Sequence, residues 1–302
     1  MPIELGLTIV DSIMHNCMIK SYPDGSREVT AAPRALFREP GWEASDDYAA
    51  ADERRRAARR RQRWDEWNSI FGGELCEPGE DAQQREADSL ARSKRRARTM
   101  VRDYARSNDF AYFVTLTLDA SKVDRYDIDS VTKIMRTWLD NRVRRKGLKY
   151  ILVPELHKDG AVHFHGFFND ALPAVDSGTL TKAGKPRKPR GAAARARMIA
   201  EGWHVVYNLP DWTLGFTTAV KLYGDRNAAI GYVCKYIAKE QTKVGGRWYY
   251  SGGALRLPEV CRCDVDYEKL RAKHSNSEFT IDSLGITMLR YFQRSDTDAR
   301  PV

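Results

Sequence analysis

Two short segments carry residue types that could do chemistry together. The first runs through Glu155 and His157, turns at Lys158-Asp159-Gly160, and returns through His163 and His165. A three-residue hairpin loop ends in a residue with positive φ, a place that glycine fills without strain. With Gly160 there, His157 faces Ala161, Glu155 faces His163 and Val153 faces His165. Paired residues, and residues two apart, project from the same side of a sheet. Glu155, His157, His163 and His165 therefore share one face, and Leu156, Val162 and Phe164 turn to a core. A two-residue Asp-Gly turn would slip the register by one and send Glu155 to the other side. Two imidazoles and a carboxylate converging from paired strands can hold a divalent cation and leave positions open for a substrate. Glu155, His163 and His165 are the candidate ligands. His157 stays open between a fourth ligand, a hydrogen-bond partner behind the ligands, and plain surface. The competing reading of the whole face is an ordinary exposed sheet.

The second segment is Arg226–Glu240, whose apolar spacing predicts a helix. Tyr232, Lys235, Tyr236 and Lys239 fall at i, i+3, i+4 and i+7 and form one stripe. Ile230, Val233, Cys234 and Ile237 form the opposite stripe and should pack on a sheet. A free phenol has a pKa of about 10 and is a poor nucleophile at neutral pH. Adjacent ammonium groups favour the phenolate, and a metal acting on the electrophile lowers the demand on it. The competing reading is a surface helix.

The elements that must position these residues form an alternating series. Residues 111–118, 150–157, 161–168, 203–209, 215–222 and 247–253 read as strands, rich in β-branched and aromatic side chains. Residues 129–147 carry helical apolar spacing closed by Gly147. The fold class is α+β. Residues 171–197 hold few large apolar side chains among many Lys, Arg, Pro and Gly, and read as an insertion or mobile loop. Residues 49–106 are helical and very basic, with clusters at Arg54–Arg63 and Arg92–Arg106. The acidic stretch 72–81 is expected to be the turn between two helices. These clusters and the basic loop either contact phosphates or are solvated faces.

Composition narrows the class. The chain has 302 residues, a net charge of +9, 42% hydrophobic and 30% charged residues, which suits a packed protein with a polyanionic partner. Five scattered cysteines make no disulfide framework or zinc knuckle and read as reduced thiols. No apolar run is long enough to cross a bilayer, and Asp11 interrupts the apolar start, a poor signal peptide. A cytoplasmic protein is expected. There is no Walker A loop, since Gly178 to Lys185 has the wrong spacing and lacks the Ser/Thr.

Phe113-Val114-Thr115-Leu116-Thr117-Leu118, then His163-Phe164-His165, then Tyr232-Val233-Cys234-Lys235-Tyr236-Ile237-Ala238-Lys239 together resemble the HUH endonucleases that initiate rolling-circle replication. The double-tyrosine segment looks like the subgroup that includes the gene A proteins of small single-stranded DNA bacteriophages. The resemblance implies an RRM-like central antiparallel sheet with flanking helices and Mg²⁺ or Mn²⁺ on Glu155, His163 and His165. It implies attack by Tyr232 or Tyr236 on single-stranded DNA at an origin, with Lys235 and Lys239 orienting the phosphate. The expected partners are that origin DNA, a host helicase and a single-strand-binding protein, in a bacterial cytoplasm. The domains expected are a basic, mostly helical region 1–105, the endonuclease domain 106–253 with its basic insertion 171–200, and an extension 254–302. A transposase of the same chemistry and a non-catalytic single-strand-binding module are the alternatives. The module would need exposed aromatic rings on the sheet, a face that carries Glu and His here.

Overall fold

The computed structural model describes residues 14–38, 78–157, 159–223, 226–281 and 286–293. In chain order the first elements are β1 (Met14–His15), β2 (Cys17–Ser21), β3 (Arg27–Ala31), β4 (Phe37–Arg38) and α1 (Pro78–Ser107). Next come β5 (Tyr112–Leu118), α2 (Ile128–Lys146), β6 (Tyr150–Leu156), β7 (Val162–Phe168), β8 (Val175–Lys182) and β9 (Lys185–Arg187). The rest are α3 (Ala192–Ala200), β10 (His204–Asn208), β11 (Gly215–Lys221), α4 (Arg226–Lys239), β12 (Tyr250–Gly252), β13 (Glu259–Cys263), α5 (Tyr267–Lys273), β14 (Glu278–Ile281) and β15 (Ile286–Gln293). The chain divides into two compact units, Leu90–Pro258 and, together, Met1–Ser89 with Glu259–Val302.

The unit Leu90–Pro258 is built on an antiparallel sheet of eight strands in the order β12-β6-β7-β5-β11-β10-β8-β9. Its central strands alternate strictly: in β5, Tyr112, Val114, Leu116 and Leu118 are buried and the residues between them are half-buried. One face receives α2. Asp127 caps that helix by accepting a hydrogen bond from the Ser130 N–H, and Gly147 ends it in the left-handed region at φ 69°. Its buried stripe, Val131, Met135, Trp138 and Leu139, packs with Leu116, Leu152 and Phe164. Each such side chain contributes about 1.5–3 kcal/mol by leaving water. On the other face, α1 and α4 bring Val101, Val233 and Ile237 onto Ile151, Val153 and Phe167. The mixed α+β class and the large antiparallel sheet agree with the sequence reading.

Two expectations are corrected. Residues 171–200 are not a loop: β8, β9 and α3 extend the sheet and flank it. The pairing is carried by Ser, Thr and Lys, with Leu180 the one fully buried residue of β8, so the apolar signal is weak. The acidic turn expected at 72–81 is helix from Pro78 onward, where proline suits a first helical turn. The helix expected before it, with Arg54–Arg63, lies outside the described residues.

The second unit pairs strands from opposite ends of the sequence in the order β13-β2-β3-β15-β14. Cys17, Val29, Leu289 and Tyr291 form its core with Tyr267 and Leu270 of α5. Residues 14–38 are thus strands rather than part of a helical region, and strands from 259 onward complete their sheet. Cys17, Cys234, Cys261 and Cys263 are free thiols. Among the described residues no helix is long and apolar enough to cross a membrane.

Candidate active site

The hairpin register sets the site. His157 N–H donates to Ala161 O, Gly160 N–H donates to His157 O, and Gly160 has φ 87°. Glu155 then pairs with His163 and Val153 with His165, as the loop argument requires. Strand β5 lies on the other flank of β7, with Thr115 opposite His165 and Thr117 opposite His163. Pro154 sits beyond the end of the β12 pairing. Its missing N–H points to the same open edge as the Leu156 N–H, so it removes no ladder bond.

Glu155 and His165 form the centre. His165 Nε2 lies 2.9 Å from Glu155 Oε2, and His165 Nδ1 lies 3.0 Å from Thr115 Oγ1. Lys239, the last residue of α4, donates from Nζ to Glu155 Oε1 at 2.5 Å. The same helix lays the Tyr236 ring flat on the His165 imidazole, with centroids 4.2 Å apart and planes within 3°. Tyr236 Oη donates to Tyr232 Oη at 2.7 Å, and Tyr232 packs edge-on against Phe113. Lys235 is exposed on this stripe. His157 stacks on His163 with centroids 5.2 Å apart and meets Asp159 at 3.3 Å.

Burial decides the protonation states. Burial lowers the pKa of His165, and Glu155 beside it does not restore the ordinary value. His163 is lowered by burial and by the neighbouring His157. Neutral His165 satisfies both neighbours when Nε2–H donates to Glu155 and Nδ1 accepts from the Thr115 hydroxyl. Burial would raise the Glu155 carboxyl, but the Lys239 hydrogen bond and the charges around it hold it below the usual range. With His165 neutral near neutral pH, Lys239 is the cation that keeps Glu155 ionised. Tyr236 is pushed well above an ordinary phenol by burial, by its bond to Tyr232 and by the Glu155 charge.

Acid should loosen this unit. A group whose folded pKa lies below its unfolded one contributes stability that is complete above the unfolded value and lost as pH falls through the folded value. His163, His165 and Glu155 all push this way. The urea midpoint should therefore decline as pH falls below about 6.5, first through the imidazoles and then, below about 4.3, through Glu155. A His163→Gln/His165→Gln variant should lose the upper part of that slope. An unchanged wild-type midpoint between about pH 7 and about pH 5 would refute the assignments.

Residues 111–241 match the family model of replication-associated protein ORF2/G2P. The matched stretch runs from β5 through α4 and contains Glu155, His163, His165, Tyr232, Lys235, Tyr236 and Lys239. It supports a replication-initiator role for the chain. No curated protein and no solved structure matches it.

A carboxylate and two neutral imidazoles on one face suit a divalent cation in donor type. Among the described residues, no three His, Cys, Asp or Glu side chains are gathered as a metal-holding group. The Glu155 oxygens are instead taken up by His165 and Lys239. The chemistry of the donors fits a cation, which would replace the proton shared between Glu155 and His165.

Sequence reasoning gave no role to two residues here. Thr115 lies in the strand segment singled out by resemblance, and only the register of β5 against β7 shows that it faces His165. Glu240 is nearly buried. Its carboxylate accepts from the Leu156 N–H, and its carbonyl accepts from Lys94 Nζ. It thus ties the end of α4 to the edge of β6, and burial raises its pKa. No apolar period marks either residue.

Proposed function

We propose that this protein initiates rolling-circle replication by nicking single-stranded DNA at an origin and rejoining it through a 5′-phosphotyrosine. The observation that carries this reading is the stacking of Tyr236 on His165. It sets the two-tyrosine stripe of α4 directly over the imidazole–carboxylate pair of the hairpin. Glu155, His163 and His165 would hold Mn²⁺ or Mg²⁺, whose Lewis acidity polarises the scissile phosphate. Imidazole donors favour Mn²⁺ over the oxygen-preferring Mg²⁺.

Tyr232 is the first nucleophile. Its Oη attacks phosphorus in line with the 3′-oxygen, and the P–O3′ bond breaks as the new O–P bond forms. The phenolic proton leaves to solvent, and the departing 3′-oxygen takes one up to become the hydroxyl that a polymerase extends. The Tyr236 hydroxyl, already donating to Tyr232 Oη, stabilises the developing phenolate. Lys235 on the same stripe offers a cation to the phosphate, and Lys239 fixes Glu155. After one circuit Tyr236 attacks the regenerated origin, and the released 3′-hydroxyl displaces Tyr232 to close the circle. The bond energy stays in the phosphotyrosine, so closure needs no ATP. Strand separation does, which calls for a host helicase and a single-strand-binding protein.

The test is a denaturing gel of the protein with single-stranded fragments flanking its gene, with Mn²⁺ and then with EDTA. A metal-dependent covalent adduct is expected; salt-sensitive binding with no adduct on any fragment would leave a binding module instead. Independently of activity, His163→Ala should weaken Mn²⁺ binding by about 100-fold or more while the fold persists, because His163 is only half-buried. Calorimetric titration reads this directly, and an unchanged affinity would remove His163 from the site.

A further inference from the structure

The register of three strands brings an unexplained aromatic side chain into line with the histidines. Strand β11 pairs with β5 so that Phe216 faces Thr117, Thr218 faces Thr115 and Val220 faces Phe113. Since Thr117 faces His163 across β7 and His163 faces Glu155 across β6, one row reads Phe216, Thr117, His163, Glu155. Two strand spacings of about 4.8 Å separate Phe216 from His163 along that row. Burial confirms the face: Thr217 and Ala219 point to the α2 side and are buried, while Phe216 is 67% exposed. Phe216 makes no aromatic contact among the described residues. An interior strand flanked on both sides is an unusual place to leave a phenyl ring in water.

The surroundings suit one kind of occupant. Among the described residues, the strand between the ring and the histidines contributes the short, half-buried side chains of Thr115 and Thr117, with Thr218 exposed beside them. Tyr232 is itself 50% exposed. At the Tyr232 end of this surface Lys235, exposed on the α4 stripe, offers a cation. Lys185 and Arg187 of β9 alternate instead to the opposite face, because Val206 pairs with both Val220 and Thr179 and Arg187 pairs with Leu180. A strand whose scissile phosphate meets Lys235 would carry a neighbouring base over the sheet face toward Phe216.

We infer that Phe216 is a base-stacking platform for single-stranded DNA. A nucleobase beside the scissile phosphate stacks on its ring as the strand crosses β5 and β11. The assignment rests on the strand-nicking reading above. It supplies what that reading lacks, a surface that recognises unpaired bases, since a base within a duplex has no free face to offer a ring.

The experiment measures fluorescence anisotropy of the full chain with labelled oligodeoxythymidine in EDTA. A second probe is an abasic deoxyribose-phosphate oligomer of equal length. Phe216→Ala should weaken binding to oligodeoxythymidine by about 5- to 150-fold, the range for losing one stacked base. Phe216→Trp should preserve it, and the abasic probe should not distinguish Phe216→Ala from the wild type. Equal affinity of wild type and Phe216→Ala for oligodeoxythymidine overturns the proposal. So does an equal loss on both probes, which would mark a structural defect. Base-dependent loss in Phe216→Ala, with no covalent adduct from the wild type on any fragment, leaves the platform standing and removes only the nicking reading.

Discussion

Tyr232→Phe should reduce covalent adduct formation on a single-stranded origin by about ten-thousandfold or more, the scale expected when a nucleophile is removed. Tyr236 should not replace it in the first step. Its hydroxyl is half-buried, its proton is committed to Tyr232 Oη, and burial together with Glu155 pushes its pKa far up. Tyr236→Phe should therefore still form the first adduct, more slowly for want of the donated hydrogen bond, and fail chiefly in circle closure. Mass spectrometry of the trapped peptide distinguishes the two residues, and a time course with a circular template separates nicking from closure. Full activity in Tyr232→Phe/Tyr236→Phe would sink the tyrosine mechanism altogether. An adduct mapped to Tyr236 in the wild type would reverse the order of the two.

The largest effect on the fold is expected at Gly166, the residue after His165. A Cβ built there would lie 1.8 Å from Ile151 O and 3.0 Å from Leu152 Cα. Both neighbours are backbone of β6, so no side chain can swing aside. Gly166→Ala must push β6 away from β7 at the Leu152 pairing, three residues from Glu155. Overpacking of this kind costs about 3 kcal/mol or more, against a total stability of about 5–15 kcal/mol for a typical domain. The urea midpoint should fall sharply, or the chain should fail to fold. A midpoint equal to that of the wild type would mean that the two backbones do not approach so closely.

The parts of the site legible in the sequence are those governed by local rules. Gly160 fixes a loop, the loop fixes a register, and the register puts Glu155 opposite His163 before any tertiary contact is known. The stripe Tyr232, Lys235, Tyr236, Lys239 follows in the same way from the helical period. What was not legible depends on partners distant in sequence. That Tyr236 stacks on His165, or that Lys239 reaches Glu155, requires knowing that α4 packs on the face of β6 and β7. In the sequence Phe216 reads only as part of a strand, because its face is defined by the β5–β11 register and not by its own segment. The exposed ring on the sheet that the sequence reading found lacking is this residue. Strands β8 and β9 escaped notice because Thr, Ser and Lys give no alternation when a sheet's far end is half-solvated on both faces.

The chain's five-stranded sheet imposes an order on synthesis. His15 and Asp264, joined in that unit by a 3.1 Å contact, are 249 positions apart, and everything between Leu90 and Pro258 belongs to the other unit. A ribosome moving at about 5–20 residues per second takes roughly ten to fifty seconds to cover that gap. Throughout that interval β2 and β3 exist as a hairpin whose outer edges lack β13 and β15. The unit bearing Glu155 and the tyrosines is complete at Pro258, before β13 is made, so its whole sequence is in hand before the five-stranded sheet can close. The nascent hairpin is therefore the segment most exposed to mispairing, and the one on which a chaperone would have most to do.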